Sequence, residues 1–124
     1  MNVKTDTKEK FTVITPNEAI LAANMTAELP NLLLPYLQKD IPHVVLNMEA
    51  VTLIDENTAD LLATIQQQFY EKNVSFVICN LQKPVEKLLE EKELLELMNI
   101  TPTESEAWDI LQMEEIEREL LGDI

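Results

Sequence analysis

The chain has 124 residues, 23 acidic and 9 basic, with a formal net charge of −14 at pH 7. That length holds one domain. With 46% hydrophobic and 26% charged residues, the composition is that of a folded chain, not a disordered one. A single Arg and scattered Lys residues exclude a grip on nucleic acid or an anionic membrane surface. The one glycine, Gly122, lies near the C-terminus and excludes the Gly-rich loops that cradle phosphates. The single cysteine cannot form an internal disulfide or a thiolate metal cage, and it suits a reducing cytoplasm. The polar N-terminus lacks a signal-peptide core, and no apolar run approaches the roughly 18 residues of a membrane span. The acidic residues do not form a cation loop of alternating oxygen ligands around a glycine, so neither metal nor cofactor is expected.

Residues 1–10 are polar, carry Lys4, Lys8 and Lys10, and read as a flexible arm. Phe11 to Thr15 is β-branched and aromatic, Pro16-Asn17 signals a turn, and Glu18 to Ala23 reads as a second short strand, which together predict a hairpin. Thr26 to Lys39 predicts a helix with Leu29, Leu33 and Leu37 on its apolar side, kinked or split at Pro35. His43 to Met48 is a nearly continuous apolar run, the pattern of a strand buried on both faces. Val51 to Ile54 then leads to Asp55. From Asn57 the period changes, with Leu61, Leu62, Ile65 and Phe69 on one side and Gln66, Gln67 and Glu71 opposite, an amphipathic helix to about Lys72 that Asn73 closes. Ser75 to Cys79 predicts a second buried strand, and Pro84 opens a third helix at a natural first position. Leu94, Leu97, Met98 and Ile100 form an apolar patch. Thr103-Glu104-Ser105-Glu106 is a capping-box pattern before a last helix that carries Trp108, Leu111, Ile116 and Leu120. Strands that alternate with helices imply an α/β layer structure around one sheet.

The segment His43-Val44-Val45-Leu46-Asn47-Met48-Glu49-Ala50-Val51-Thr52-Leu53-Ile54-Asp55 resembles the core of STAS domains, the family of anti-sigma factor antagonists and sulfate-transporter tails. There a buried strand leads to a hydrophobic-hydrophobic-Asp turn and at once to a helix. Ser75 to Asn80, Pro84 to Leu89, Thr103 to Trp108 and Thr26-Ala27-Glu28 are similar to further family elements in the same order, so that the resemblance covers roughly residues 11–112. It implies a single STAS-like α/β domain with a mixed sheet of about four strands and helices packed mainly on one face. Residues 1–10 are then the arm, 11–112 the domain, and 113–124 an acidic C-terminal helix extension. The family pattern after the strand is Asp-Ser-Ser/Thr-Gly, and the residue two after the Asp is phosphorylated by a partner kinase. This chain reads Asp55-Glu56-Asn57-Thr58, so Asn57 stands in the acceptor place and cannot take a phosphate there.

The turn Asp55, Glu56, Asn57, Thr58 is therefore the main candidate site. A helix N-terminus carries partial positive charge and free N–H groups, and Asp55 and Glu56 would hold permanent negative charge there. A purely structural reading stands beside it, with Asn57 as helix cap and acidic first-turn support. Thr58 is an alternative acceptor one position late. From the family arrangement, Asn24 and Met25 before the first helix and Asn80, Gln82 and Lys83 after the second buried strand are expected to share the partner surface. The resemblance implies a non-enzymatic, cytoplasmic regulatory module that binds a kinase-like anti-sigma factor and competes with a sigma factor, with self-association left open. One alternative is a STAS subunit of a larger complex such as a lipid-transport ABC system. Another, of a different class, is a small enzyme that uses Cys79, His43 or Asp55, although no nucleophile-elbow pattern surrounds the cysteine. A buried inert thiol, a strand-edge histidine and a core-anchoring Trp108 are the corresponding structural readings. The acidic excess is concentrated late in the chain: residues 1–82 carry a net charge of −5 and residues 83–124 one of −9. That makes a soluble surface or an electrostatic face for a basic partner.

Overall fold

The two apolar runs become the centre of a sheet. In the computed structural model, which describes residues 1–22 and 27–122, β4 (Val44–Asn47) and β6 (Phe76–Cys79) pair in parallel, and every residue of both is buried. Strand β2 (Thr12–Pro16) lies parallel on the other side of β4. The register aligns Val13, Val45 and Val77 in one row across the sheet and Ile14, Leu46 and Ile78 in the next. Side chains alternate between faces along a strand, so the first row points to one side and the second to the other. Two strands flank this centre, β1 (Val3–Thr7) antiparallel to β2 and β7 (Ile100–Thr101) parallel to β6, for the order β1-β2-β4-β6-β7. A second, two-stranded parallel sheet joins β3 (Ile20–Leu21) to β5 (Leu53–Ile54).

The helices are α1 (Glu28–Leu33), α2 (Glu56–Glu71), α3 (Lys83–Glu91) and α4 (Glu104–Gly122). The first three cover the face of Ile14, Leu46 and Ile78. Leu29, Leu33, Ala59, Leu62, Ile65, Phe69, Val85 and Leu89 complete that core, and the Phe69 and Phe76 rings lie 4.9 Å apart. Helix α4 alone covers the opposite face, where Ala107 and Leu111 meet Val13, Val45, Val77 and Cys79. Helices thus sit mainly on one face of a mixed sheet, as expected. Pro35 does split its helix: α1 ends at Leu33, and residues Leu34–Gln38 continue as a 3-10 helix. Asn73 closes α2 in the left-handed region at φ 59°, a conformation Asn tolerates.

Several expectations need correction. Residues read as a flexible arm form β1, whose antiparallel partners run from Val3 with Pro16 to Thr7 with Thr12. The hairpin is therefore β1–β2 and not β2–β3; β3 turns away to pair with β5. The polar β1 sequence suits a sheet edge, where charged side chains blunt pairing with other chains and the backbone alone supplies the ladder. The sheet has five strands instead of about four, because part of the apolar patch around Ile100 is the short strand β7.

Candidate functional site

Strand β5 delivers the chain to the start of α2. The Asp55 N–H donates to the Leu21 carbonyl at 3.2 Å, which fastens the turn to the end of β3. Asp55 is the N-cap, extended at φ −91° and ψ 173°, and its Oδ1 accepts from the Thr58 N–H at 2.8 Å. The Thr58 hydroxyl lies 2.6 Å from the same carboxylate oxygen and 3.2 Å from the Leu21 carbonyl. One hydroxyl proton serves one acceptor at a time, and the short contact to the carboxylate is the charge-assisted one. The helix starts one residue earlier than the sequence pattern indicates, so Asp55 and not Asn57 does the capping. An Asp three residues ahead of an inward-facing N–H is the preferred geometry for that role.

This arrangement separates the four residues of the turn. Thr58 has 0% exposure, packed beneath the helix start. Asp55 is half-buried, and Glu56 and Asn57 are exposed. The alternative acceptor is thus withdrawn from the surface. The position that stands out from it carries an amide beside a carboxylate, at the positive end of a 16-residue helix.

A second wall forms at the carboxyl ends of β4 and β6, where open α/β sheets commonly place their contacts. Asn80 sits in the left-handed region at φ 58°. Its amide donates to the Asn47 Oδ1 at 3.2 Å, which also accepts from the Glu49 N–H at 3.0 Å. The Asn47 amide in turn donates to the Glu104 carboxylate at 3.3 Å. The Gln82 amide reaches the Glu49 carbonyl at 2.7 Å and ties the start of α3 to the segment after β4. Lys83 stands exposed at the first position of α3. Helix α3 lies against β5, so its start and the Asp55 turn belong to one end of the molecule. Of the remaining expected contributors, Asn24 and Met25 lie outside the described residues. Sequence reasoning missed Asn47, the hub of the network. Its signal was a lone polar residue inside an apolar strand, and a buried polar group needs partners.

The residues proposed for an enzyme do not converge. His43 precedes Val44, which pairs with Phe76, whereas Cys79 pairs with Asn47. Four strand residues of offset correspond to about 13 Å. His43 Nδ1 accepts from the Ser75 N–H at 3.1 Å, and burial, with Arg118 nearby, holds the imidazole below its ordinary pKa. Burial, followed by the carboxylates of Glu104 and Glu49, pushes the Cys79 thiol up to about 12, so it carries no thiolate at neutral pH. Among the described residues no three His, Cys, Asp or Glu side chains are grouped to hold a metal ion. Among them, too, no helix is long and apolar enough to cross a membrane. Trp108 is half-buried near the start of α4 and lines an open groove instead of entering the core, edge-on to Phe11 with ring centroids 5.3 Å apart and with the Lys8 ammonium 5.2 Å from the indole centroid.

Comparison with known proteins matches this architecture. The family model of the STAS domain covers residues 2–107. No curated protein sequence matches. Among solved structures, a Thermotoga maritima protein assigned as an anti-sigma factor antagonist superposes with a TM-score of 0.80 at 18% identity, over 89% of this chain and 94% of that one. An anti-sigma-factor antagonist (STAS) domain protein from Planctomyces limnophilus gives 0.77 at 18% identity, over 89% and 97%. The murine anion transporter Slc26a9 gives 0.69 at 14% identity, over 84% of this chain and only 18% of the transporter. The chain belongs to the STAS domain family.

Proposed function

From membership of that family, we propose that this protein is a non-enzymatic regulatory module of the anti-sigma factor antagonist type, held in one charge state instead of being switched by phosphorylation. The observation that carries the reading is the division of the turn. Asn57, in the family's acceptor place, is exposed and has no hydroxyl, while the neighbouring Thr58 hydroxyl is buried against Asp55 and the Leu21 carbonyl. A phosphate added at such a surface changes its charge by nearly two units and can block docking. A chain without an acceptor keeps the surface fixed, with Glu56 supplying one permanent negative charge. The partner is a kinase-like anti-sigma factor, docked on Glu56, Asn57 and Lys83, with Asn80 and Gln82 bracing the adjoining loop. Docking would occupy the surface that otherwise holds the sigma factor.

Co-purification from the native cell tests this reading. The wild-type protein should retain a kinase-like anti-sigma factor, and Asn57→Arg, an exposed substitution that leaves the Asp55 cap in place, should lose it. The transporter similarity supports a second reading, in which the domain is one component of a larger transport assembly. Recovery of a transporter ATPase with no such kinase would sink the sigma-factor version in favour of that one.

A further inference from the structure

Helix α4 is apolar on two sides. Ala107 and Leu111 face the sheet, with 0% and 6% exposure. Met113, Ile116 and Leu120 are 57%, 56% and 64% exposed. Their spacing of three and four residues aligns them as one stripe on the solvent side of the helix. The stripe lies beyond the residues matched by the family model, which end at 107.

The charges around the stripe have one sign. Glu106, Asp109, Glu117 and Glu119 are exposed on the same helix. Its only basic residue, Arg118, is directed inward and donates to the Ser75 hydroxyl at 3.0 Å. Two copies of α4 laid stripe to stripe would bring seven acids and one base against the same set, and like charges across an interface oppose association. We propose that the outer face of α4 is a second docking surface, distinct from the Asp55 turn, and that its occupant is a basic amphipathic helix of another protein. Leu or Met side chains of that helix would cover Met113, Ile116 and Leu120, and its flanking Lys and Arg residues would meet the four carboxylates.

The probe is a labelled Lys/Leu peptide of about five helical turns, patterned to be amphipathic, read by fluorescence anisotropy against the full chain. Binding is expected to weaken as salt rises, and a scrambled peptide of the same composition should bind at least about tenfold more weakly. The combined variant Met113→Gln, Ile116→Gln, Leu120→Gln keeps every charge and should lose the patterned peptide by a similar factor, while circular dichroism stays unchanged. Co-purification of the partner that depends on Asn57 should survive in this variant, which separates the two surfaces. Three results would each overturn the inference: no binding of the patterned peptide, equal binding of the scrambled one, or undiminished binding by the triple variant. A wild-type chain that dimerises in sedimentation, with the triple variant monomeric, would assign the stripe to a second copy and would overturn it too.

Discussion

The two faces of the sheet are built on the same three strands and do different things. One face carries three helices and a closed core, in which Ile14, Leu46, Phe69, Phe76 and Ile78 have no exposure. The other carries α4 alone over a small cluster of valines, Cys79, Ala107 and Leu111. Next to it an open groove of about 520 Å³ runs between the β1–β2 turn and the helix, past Phe11, Trp108 and Ile116. The closed face fixes the position of the Asp55 turn, because α2 and α3 are both seated in it. The thin face leaves most of a 19-residue helix free to present a surface of its own. One sheet thus supports a closed core on one side and an exposed helix face on the other.

Truncation in each core tests that difference most severely. Phe69→Ala should cost about 3–5 kcal/mol in urea unfolding, since it removes a fully buried ring that also packs on Phe76. Leu111→Ala, on the thinner face, should fall at or below the low end of the usual range, about 2 kcal/mol. Equal losses would show that the two clusters are one cooperative core of uniform packing.

The turn gives the next largest effect. Asp55→Ala removes the cap and leaves the buried Thr58 hydroxyl without its carboxylate, and should cost about 1–2 kcal/mol. Asn57→Ala should stay within about 0.5 kcal/mol, as exposed substitutions usually do. If Asn57 proved the costlier of the two, the cap would have been assigned to the wrong residue.

Much of this was legible beforehand, and the rest was hidden for identifiable reasons. The runs at Val44 to Asn47 and Phe76 to Cys79 announced central strands because burial on both faces leaves no room for alternation. Pro35 announced the break after α1 because its ring cannot continue a helix interior. Strand β1 was invisible because an edge strand is held by its backbone, and Lys4, Thr5 and Asp6 look like any polar arm. The surface place of Asn57 could be read from the resemblance. The cap could not, since both Asp and Asn suit that position and the choice depends on the tie from Asp55 to Leu21. The Asn47 hub joins β4, β6 and α4, and contacts across 33 and 57 residues leave no local pattern.

The pH dependences are small near neutrality, and both of the groups that carry them lie on the α4 side of the sheet. His43 accepts a hydrogen bond while neutral and has a lowered pKa, so the unfolded chain takes up its proton first as pH falls. Stability should therefore decline below about 6.5, and His43→Asn, which can keep the acceptor, should flatten that slope. Cys79 behaves in the opposite sense. The unfolded thiol ionises near 9 and the folded one near 12, so stability should fall through that alkaline interval. Cys79→Ala should remove that part of the decline when urea midpoints are compared across pH. A Cys79 that reacts quickly with a thiol reagent at neutral pH would contradict its burial behind α4.

The fixed-charge account is tested most directly by phosphoryl transfer. Wild-type protein and Asn57→Ser are incubated with the cognate kinase and ATP, and intact and peptide masses are measured. The wild-type turn should remain unmodified, whereas Asn57→Ser should gain a single phosphate at the substituted residue. Phosphate on Thr58, or on any other residue of the wild-type turn, would contradict the account.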